Sequence, residues 1–390
     1  MAVVVVVAVI TALLVVQPWS GDDSAGGDGG TTGSTGTEGS SGSTGSPGPT
    51  DGAGQAVRGD LDGDGRGDVL GRFNGDSEQR LTLTNADGSF EVAREGVAEE
   101  EHLVVADFDG DGSNDIGSWT DDSGTLRLEV PDTALPALAQ DFELWFKVQQ
   151  VNAVFGDFDG DGLVDVAAYG QQHRSQVSVW VLHNNGAGFD PPQKWASLPN
   201  ATYGSTVLIP GDFNGDGSDD VLAVVPDQPL AAGEFDDYYW YGDFGVVPLL
   251  AEPDTFGRGG ITTVDTQLYD QEYAVGDFDG DGKDTLVADD YLNSSFVLYE
   301  YDGDGLRPTG ATLDYSISGD GVMDALAVAD LDGDRRDDLV FTSVDVDDYS
   351  FFGAWVASAD DSGGLAAPQK WSDLPDCPTD YCEVDYFPSA

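Results

Sequence analysis

The chain has 390 residues, of which 40% are hydrophobic, and its 73 acidic residues outnumber 15 basic ones to give a formal net charge of −58. Such a charge repels nucleic acids and anionic membrane surfaces and attracts cations, so nucleic acid is excluded as a partner. The hydrophobic content excludes a purely disordered acidic chain, and the length allows a large core.

Residues 1–20 form an apolar segment in which only Thr11 is mildly polar between Ala2 and Val16. A run of this length is short for a membrane span and typical of the hydrophobic region of a signal peptide. No Lys or Arg precedes it and no clear cleavage site follows it, so a signal peptide and a membrane anchor both stay open. A buried strand is the alternative to both. Either of the first two predicts a secreted or cell-surface protein that contacts a membrane only through this segment.

Residues 21–55 contain no Val, Ile, Leu, Met or aromatic residue and are rich in Gly, Ser and Thr. This composition predicts a disordered, flexible linker with a root-mean-square reach of about 30–35 Å. The linker would hold the folded domain, predicted over residues 56–390, away from a membrane or wall.

From residue 56 onwards a short acidic motif recurs six times at spacings of 47 to 65 residues. Each copy lies between two short apolar runs, and a third strand-like run, a hairpin signal and a weaker fourth segment follow. Four short strands per unit of about 50 residues are typical of β-propeller blades. The sequence therefore predicts an all-β β-propeller of six four-stranded blades, or seven if the tail "EVDYF" begins another. The copies start at Asp60, Asp107, Asp157, Asp212, Asp277 and Asp330.

The motif places oxygen-bearing side chains at alternate positions. Counted from its first Asp, it has Asp at position 1, Asp or Asn at 3, Asp at 5 and, in five copies, Asp at 9. With the backbone carbonyl of position 7, these groups can surround one hard cation. The predicted ligands are Asp60, Asp62, Asp64, Arg66 and Asp68; Asp107, Asp109, Asp111, Ser113 and Asp115; Asp157, Asp159, Asp161, Leu163 and Asp165; Asp212, Asn214, Asp216, Ser218 and Asp220; Asp277, Asp279, Asp281, Lys283 and Asp284; and Asp330, Asp332, Asp334, Arg336 and Asp338.

Calcium fits this pattern better than magnesium, because Mg²⁺ prefers a tighter octahedron that keeps water molecules. Without a cation, four carboxylates within one turn would repel each other strongly. The sequence therefore predicts up to six Ca²⁺ as cofactors, the alternative being six solvated acidic turns.

Two copies depart from the pattern. In "DFDGDGKDTL" we interpret one residue as lost, which puts Asp284 at position 8 and Thr285 at position 9. In "DLDGDRRDDL" Arg335 replaces the Gly of position 6, at a backbone cost if its φ is positive. Both copies are predicted to bind calcium more weakly. The similar "DGDG" at 302–305 aligns with hairpin signals in other repeats and is predicted to be a hairpin tip.

The six stretches, among them "GDFDGDGLVDVA", "GDFNGDGSDDVL" and "ADLDGDRRDDLV", resemble the FG-GAP/VCBS repeat family, which occurs in the propeller of integrin alpha subunits and in bacterial surface and secreted proteins. The resemblance covers about 56–375. It implies a β-propeller with Ca²⁺ in the loop between the first and second strands of each blade. The family includes adhesion, lectin-like and enzyme-accessory domains, so the resemblance does not specify a function.

The favoured function is a non-catalytic, monomeric binding or adhesion module for a glycan or protein ligand at the cell surface. The aromatic cluster "FDDYYWYGDF" at 235–244 could contact the ligand, or it could form an outer hairpin. No nucleophile or metalloprotease motif is present in the folded region, and His102, His173 and His183 are interpreted as surface or structural residues. The chain is therefore predicted not to be an enzyme. The alternatives are a polysaccharide lyase or glycoside hydrolase on a calcium-stabilised propeller, and a scaffold without a ligand.

Cys377 and Cys382 are the two cysteines of the chain. No His lies near them to complete a zinc site, which leaves a short-loop disulfide or two free thiols. The sequence predicts that a bridge here fixes the turn into a closing strand, "EVDYF", beside the first blade.

The net charge leads to a prediction about salt. Six bound Ca²⁺ would neutralise only a small part of a charge of −58, so like charges remain crowded on the surface. Because the Debye length falls to about 3 Å at 1 M salt, we expect molar NaCl to raise the melting temperature at saturating calcium. Calorimetric melts from low to molar NaCl test this, and a flat or falling melting temperature would contradict it.

Overall fold

The computed structural model describes most of the predicted folded domain. The described residues are 57–61, 63–69, 71–75, 78–84, 90–95, 102–122, 124–131, 133–142, 151–173, 176–226, 244–263, 273–290, 293–315, 321–345, 351–360, 364–372 and 383–386. The predicted N-terminal segment 1–20, the linker 21–55, the two cysteines and the aromatic cluster up to residue 243 lie outside them.

The described strands form a series of antiparallel sheets. The first three sheets contain β1 (Gly71–Gly75), β2 (Glu78–Thr84) and β3 (Phe90–Glu95); β4 (His102–Ala106), β5 (Asp115–Asp122), β6 (Thr125–Glu129) and β7 (Leu138–Asp141); and β8 (Asn152–Gly156), β9 (Asp165–His173), β10 (Gln176–Leu182) and β11 (Gln193–Pro199). The fourth contains β12 (Val207–Gly211), β13 (Asp220–Pro226), β14 (Phe244–Glu252), β15 (Thr255–Arg258) and β16 (Thr262–Thr263). A short 3-10 turn, Tyr203–Ser205, precedes β12.

The remaining strands complete the series. The fifth sheet contains β17 (Tyr273–Gly276), β18 (Thr285–Asp290), β19 (Ser295–Tyr301) and β20 (Leu306–Asp314), and the sixth β21 (Gly321–Ala329), β22 (Asp338–Asp345), β23 (Phe351–Ala357) and β26 (Gln369–Ser372). A two-stranded sheet joins β24 (Ala359–Asp360) and β25 (Gly364–Leu365), and β27 (Glu383–Tyr386) pairs with β1. These antiparallel sheets confirm the predicted all-β β-propeller with four-stranded blades.

The predicted blade count needs two corrections. Five sheets have four strands, so the prediction of six four-stranded blades was wrong. The fourth sheet has five strands, because β16 also pairs with β14. The alternative of a seventh blade begun by the tail was wrong as well. Strand β27 joins the first sheet, with Gly71 opposite Tyr386 and Asn74 opposite Glu383. The tail thus supplies the strand that precedes the acidic loop in the other sheets and covers an open edge, as predicted for a closing strand.

The described hydrophobic cores lie between successive sheets, from the second to the sixth, because each of these sheets has apolar side chains on both faces. Phe108 of the second repeat packs edge-on against Phe155 of β8 at 6.1 Å between ring centroids. Phe296 of the fifth sheet and Phe341 of the sixth form a similar contact at 5.2 Å. Since none of these sheets could bury both faces alone, stacking against neighbours stabilises them.

Backbone hydrogen bonds also join five of the six acidic loops to the loop before them. The N–H of position 8 donates to the carbonyl of position 1 in the preceding loop. The bonds run from Asn114 to Asp60 (2.9 Å), Asp219 to Asp157 (2.7 Å), Asp284 to Asp212 (2.8 Å), Asp337 to Asp277 (2.9 Å) and Gly67 to Asp330 (2.5 Å). The last bond joins the first loop to the sixth and closes the ring. We call these five position-8 residues the inner ring.

Three inner-ring carboxylates return the hydrogen bond. Asp219 accepts the backbone N–H of Asp157 at 2.7 Å, and the Asp284 and Asp337 carboxylates accept from the equivalent residues at 2.9 Å. Burial raises the pKa of Asp219 to about 7 and that of Asp337 to about 6. These carboxylates are therefore costly to bury as anions without a cation nearby.

Arg58 supplies that cation from the start of the folded domain. Its guanidinium donates to the carbonyl of Val275 at 2.7 Å and lies 3.1 Å from Asp337 and 3.3 Å from Asp284. One side chain from the first repeat thus neutralises carboxylates of the fifth and sixth. The Arg58 side chain is 22% exposed, so solvent weakens these ion pairs only in part.

We expect Arg58→Gln to lower the free energy of unfolding by about 3 kcal/mol, because it leaves two buried carboxylates without their cation. Arg307→Gln is the matched control, since Arg307 is 48% exposed and its contacts with Asp302 and Asp304 are surface ion pairs. The control should cost less than about 1 kcal/mol. Denaturant unfolding at saturating calcium measures both, and equal losses would contradict the role assigned to Arg58.

Candidate metal centres

The first Asp of each motif winds the acidic loop around its own carboxylate. In the third loop, Asp157 Oδ1 accepts the N–H groups of Gly160 and Asp161 at 2.8 and 3.0 Å, and Oδ2 accepts that of Gly162 at 2.8 Å. Both glycines have positive φ, 74° and 89°, which favours Gly at positions 4 and 6. The backbone therefore turns sharply enough to bring several carboxylates to one point.

The predicted side-chain ligands come together in most of the described loops. Carboxylate oxygens of positions 1, 3 and 5 lie within 4.8 Å of one another in the third, fifth and sixth loops, and those of positions 1, 3 and 9 do so in the second. In the fourth loop the amide of Asn214 donates to Asp220 at 2.9 Å. Asp62 of the first loop lies outside the described residues. The groups brought together are Asp157, Asp159 and Asp161; Asp277, Asp279 and Asp281; Asp330, Asp332 and Asp334; and Asp107, Asp109 and Asp115.

Position 7 was predicted to contribute a backbone carbonyl. In all six loops its N–H donates to the carboxylate of position 5, at 2.9 to 3.1 Å. This bond orients the position-5 carboxylate, and the carbonyl ligand stays a prediction. The residues concerned are Arg66, Ser113, Leu163, Ser218, Lys283 and Arg336. In the sixth loop the Arg336 guanidinium also contacts Asp334, and this hydrogen bond lowers the pKa of Asp334.

The carboxylate of position 9 opens the second strand of its sheet and is held by backbone donors. Asp338, for example, accepts the N–H groups of Leu331 at 3.2 Å and Ala359 at 2.8 Å. Burial is the main cause of high pKa values at this position, and nearby carboxylates add to it. The pKa is raised to about 7 for Asp115, about 8 for Asp165, about 7 for Asp220 and about 7 for Asp338. Without a cation, these ionised groups are strongly disfavoured.

One oxygen of the second loop provides a test of whether a cation fits. Asp109 Oδ1 is buried and has no hydrogen-bond partner among the described residues. Burial, together with the charge of Asp111, raises the pKa of Asp109. An orphaned carboxylate oxygen beside the carboxylates of Asp107 and Asp115 suits a hard divalent ion with oxygen ligands. The residues present therefore fit the metal that the motif predicts.

The structure corrects the interpretation of the fifth loop. Thr285 opens strand β18 opposite Gly276, in the same register that places Asp165 opposite Gly156, so no residue is lost. Position 9 is simply Thr. The carboxylate of Asp284 belongs to the inner ring, where it accepts the Asp212 N–H and contacts Arg58. The fifth loop thus lacks a carboxylate at position 9.

Two other local predictions are confirmed. Arg335, at position 6 of the sixth loop, has a φ of 68°, so this side chain occupies a left-handed conformation that Gly adopts at no cost. The "DGDG" at 302–305 forms a hairpin tip between β19 and β20, with Asp302 N–H donating to the Gly305 carbonyl at 3.1 Å.

Two residues at the loops were missed by sequence reasoning. His183 and Glu300 stand opposite position 9 in the third and fifth sheets, as the pairing of Leu182 with Val166 and of Tyr299 with Leu286 shows. His183 Nδ1 lies 3.1 Å from both Asp159 and Asp165. Glu300 lines a cavity with Asp279, Asp281 and Thr285. A register counted back from each hairpin would have placed both residues beside the loops.

The comparison with protein families agrees with this geometry. A family model described as an FG-GAP-like repeat matches residues 150–223, which contain the third and fourth loops. The match confirms the predicted resemblance to this repeat family. The chain is a β-propeller in which residues 150–223 match an FG-GAP-like repeat. A search of curated protein sequences finds no match. Within the described residues, no helix has the length and apolar character needed to cross a membrane.

Several solved structures are similar to this chain at low sequence identity, with TM-scores of 0.36 to 0.43. The rhamnogalacturonan lyase PL11 of Bacillus licheniformis is 14% identical with a TM-score of 0.36, over 80% of this chain and 61% of the lyase. AofleA from Arthrobotrys oligospora is 9% identical with a TM-score of 0.40, over 82% and 80%. The periplasmic gluconolactonase PpgL of Pseudomonas aeruginosa is 16% identical with a TM-score of 0.43, over 78% and 83%. The chain thus spans less than two thirds of the lyase.

These structures correct the prediction that the chain is not an enzyme. That prediction took the propeller as a sign of a binding module, yet a lyase and a gluconolactonase are among the similar structures. At these identities and TM-scores the likeness assigns no function to this chain.

Removing a position-9 charge is predicted to change the melting temperature in opposite directions with and without calcium. Asp220→Asn removes a buried charge but keeps an oxygen that can accept the Ala251 N–H. At pH 8 in chelator, the variant should melt about 2 °C or more above the wild type; at saturating calcium it should melt below it. Asp254→Asn, in an exposed turn, is the control and should show neither effect. The same sign in both conditions would contradict a metal-binding role for Asp220.

Proposed function

We propose that this protein is an extracytoplasmic, calcium-stabilised β-propeller that binds a glycan or protein ligand at the cell surface. The observation that supports calcium most directly is the orphaned Asp109 oxygen inside a group of three carboxylates. The acidic composition and the predicted signal peptide or anchor and linker support a location outside the cytoplasm.

We further propose that the five-stranded sheet counts as a blade, which gives six blades with one acidic loop each. Asp at positions 1, 3, 5 and 9 would hold the metal, with Asn at position 3 of the fourth loop and the carbonyl of position 7. A bound divalent ion would supply positive charge where four carboxylates converge. The loops with Thr285 and with the Arg336–Asp334 contact are the weaker ones, because each has fewer available carboxylates.

The contacts of the position-9 carboxylate indicate which parts of a blade a bound metal would hold together. Position 9 opens the second strand and accepts N–H groups from the loop and, in the sixth repeat, from Ala359 beyond the third strand. This carboxylate therefore connects the acidic loop with the second strand and, in the sixth repeat, with the segment after the third strand. Since the loops of a propeller lie at its faces, fixing them also fixes the surface offered to a ligand.

The proposal predicts a strong dependence of stability on calcium. Removing calcium with a chelator should lower the melting temperature by about 10 °C or more, because binding is linked to folding. Readdition of Ca²⁺ should restore it, whereas equimolar Mg²⁺ should restore much less. A melt unchanged by excess chelator would overturn the metal role.

Ligand binding needs its own measurement. A glycan-array screen of the full chain, with and without Ca²⁺, should show binding that depends on calcium. A matched array of extracellular-matrix and cell-surface proteins tests the other ligand class. Absence of calcium-dependent binding on both arrays would contradict the binding role.

A further inference from the structure

The third loop has a nitrogen ligand, His183, within reach of its carboxylates. His183 follows β10 and lies opposite Asp165. Its Nδ1 is 3.1 Å from Asp159 Oδ2 and 3.1 Å from Asp165 Oδ2, and the three ligand atoms lie within 4.8 Å of one another. The ring therefore points at the two carboxylates of positions 3 and 9.

We propose that His183, Asp159 and Asp165 form a mixed nitrogen–oxygen site that selects a first-row transition metal such as Zn²⁺ or Ni²⁺ over Ca²⁺. The inference rests on the proposed metal role of the loops and adds a separate specificity to one of them. Imidazole is a preferred ligand of these metals, whereas calcium prefers oxygen.

The three ligand atoms are close enough to share one ion. His183 Nδ1 lies at hydrogen-bond distance from Asp165 Oδ2, 3.1 Å, and equally close to Asp159 Oδ2. A metal ion bound by the imidazole nitrogen would take the place of the proton there, because metal ligands must be deprotonated.

Surrounding contacts hold the site in place. Asp165 is fully buried, and its Oδ1 accepts the Asn184 N–H at 2.7 Å, which leaves Oδ2 directed at His183. The Asn184 side chain donates to the Phe108 carbonyl of the preceding repeat at 2.7 Å. The His183 ring packs against Trp195, with 5.1 Å between ring centroids. Such fixed neighbours limit the freedom of both ligands, as around metal sites generally.

Equivalent positions in three other sheets offer no nitrogen. By the strand registers, Leu250 stands opposite Asp220, Glu300 opposite Thr285, and Ser358 opposite Asp338. Among these described loops, transition-metal preference is therefore expected in the third loop alone. The other loops serve as internal references for calcium binding in the same molecule.

The test uses the full chain without a histidine tag, at saturating Ca²⁺, because the chain contains only three His. The variant His102→Gln/His173→Gln leaves His183 as the sole histidine, and His183→Gln removes it. Calorimetric titration with Ni²⁺ should give one binding equivalent in the wild type and in the double variant. Binding should be weakened about tenfold or more in His183→Gln.

A second readout identifies the ligand in a variant that keeps His183. Cu²⁺ bound to the double variant should show the imidazole nitrogen coupling in pulsed EPR. Lack of that coupling, or equal Ni²⁺ affinity in all three proteins, would overturn the inference. The two proposals can fail independently. If Ni²⁺ does not bind, the melting temperature can still fall in chelator. If the melting temperature does not depend on calcium, Ni²⁺ can still bind at His183.

Discussion

The propeller depends on one repeated backbone interaction, the hydrogen bond from position 8 of an acidic loop to the position-1 carbonyl of the loop before it, which occurs at five of the six junctions. The bond from Gly67 to Asp330 repeats this contact between the first and last loops. Because it uses backbone groups, it tolerates Gly, Asn or Asp at position 8. At these five junctions the bond couples the geometry of neighbouring loops, so a displacement of one loop would displace the next.

Side chains at positions 8 and 9 of the motif point to opposite sides of the strand, which explains why Asp284 was assigned wrongly. Side chains of an extended chain alternate between two sides, so position 9 faces its own loop and position 8 faces the previous repeat. A misalignment by one residue therefore moves a carboxylate from a metal site to the inner ring. The strand register of Gly276 and Thr285 distinguishes the two, whereas the composition of "DGKDT" does not.

The sequence predicted the blade period and the loops because each depends on residues close together in the chain. It could not predict the contacts of Arg58, which reaches carboxylates more than 200 residues away. One usable signal was overlooked. The residue before each motif is Gly where the next repeat has Asp or Asn at position 8, and Ala where it has Val or Gly. The structure gives the reason, since a Cβ on Gly156 or Gly211 would approach the next repeat's carboxylate to within 2.7 to 2.8 Å.

The six acidic loops share one backbone geometry but differ in the groups that neutralise their carboxylates. The fold requires that each acidic loop turns sharply and that its backbone N–H groups are bound. The glycines and the position-1 carboxylate satisfy both requirements in the third loop. Neutralisation of the remaining carboxylates is free to vary from loop to loop. In the sixth loop Arg336 contacts position 5, in the fourth an Asn replaces one carboxylate, and in the third His183 lies between two of them. Repeats that share one architecture can thus differ in the groups that surround position 9, because the strand opposite this position changes its neighbours without changing the loop.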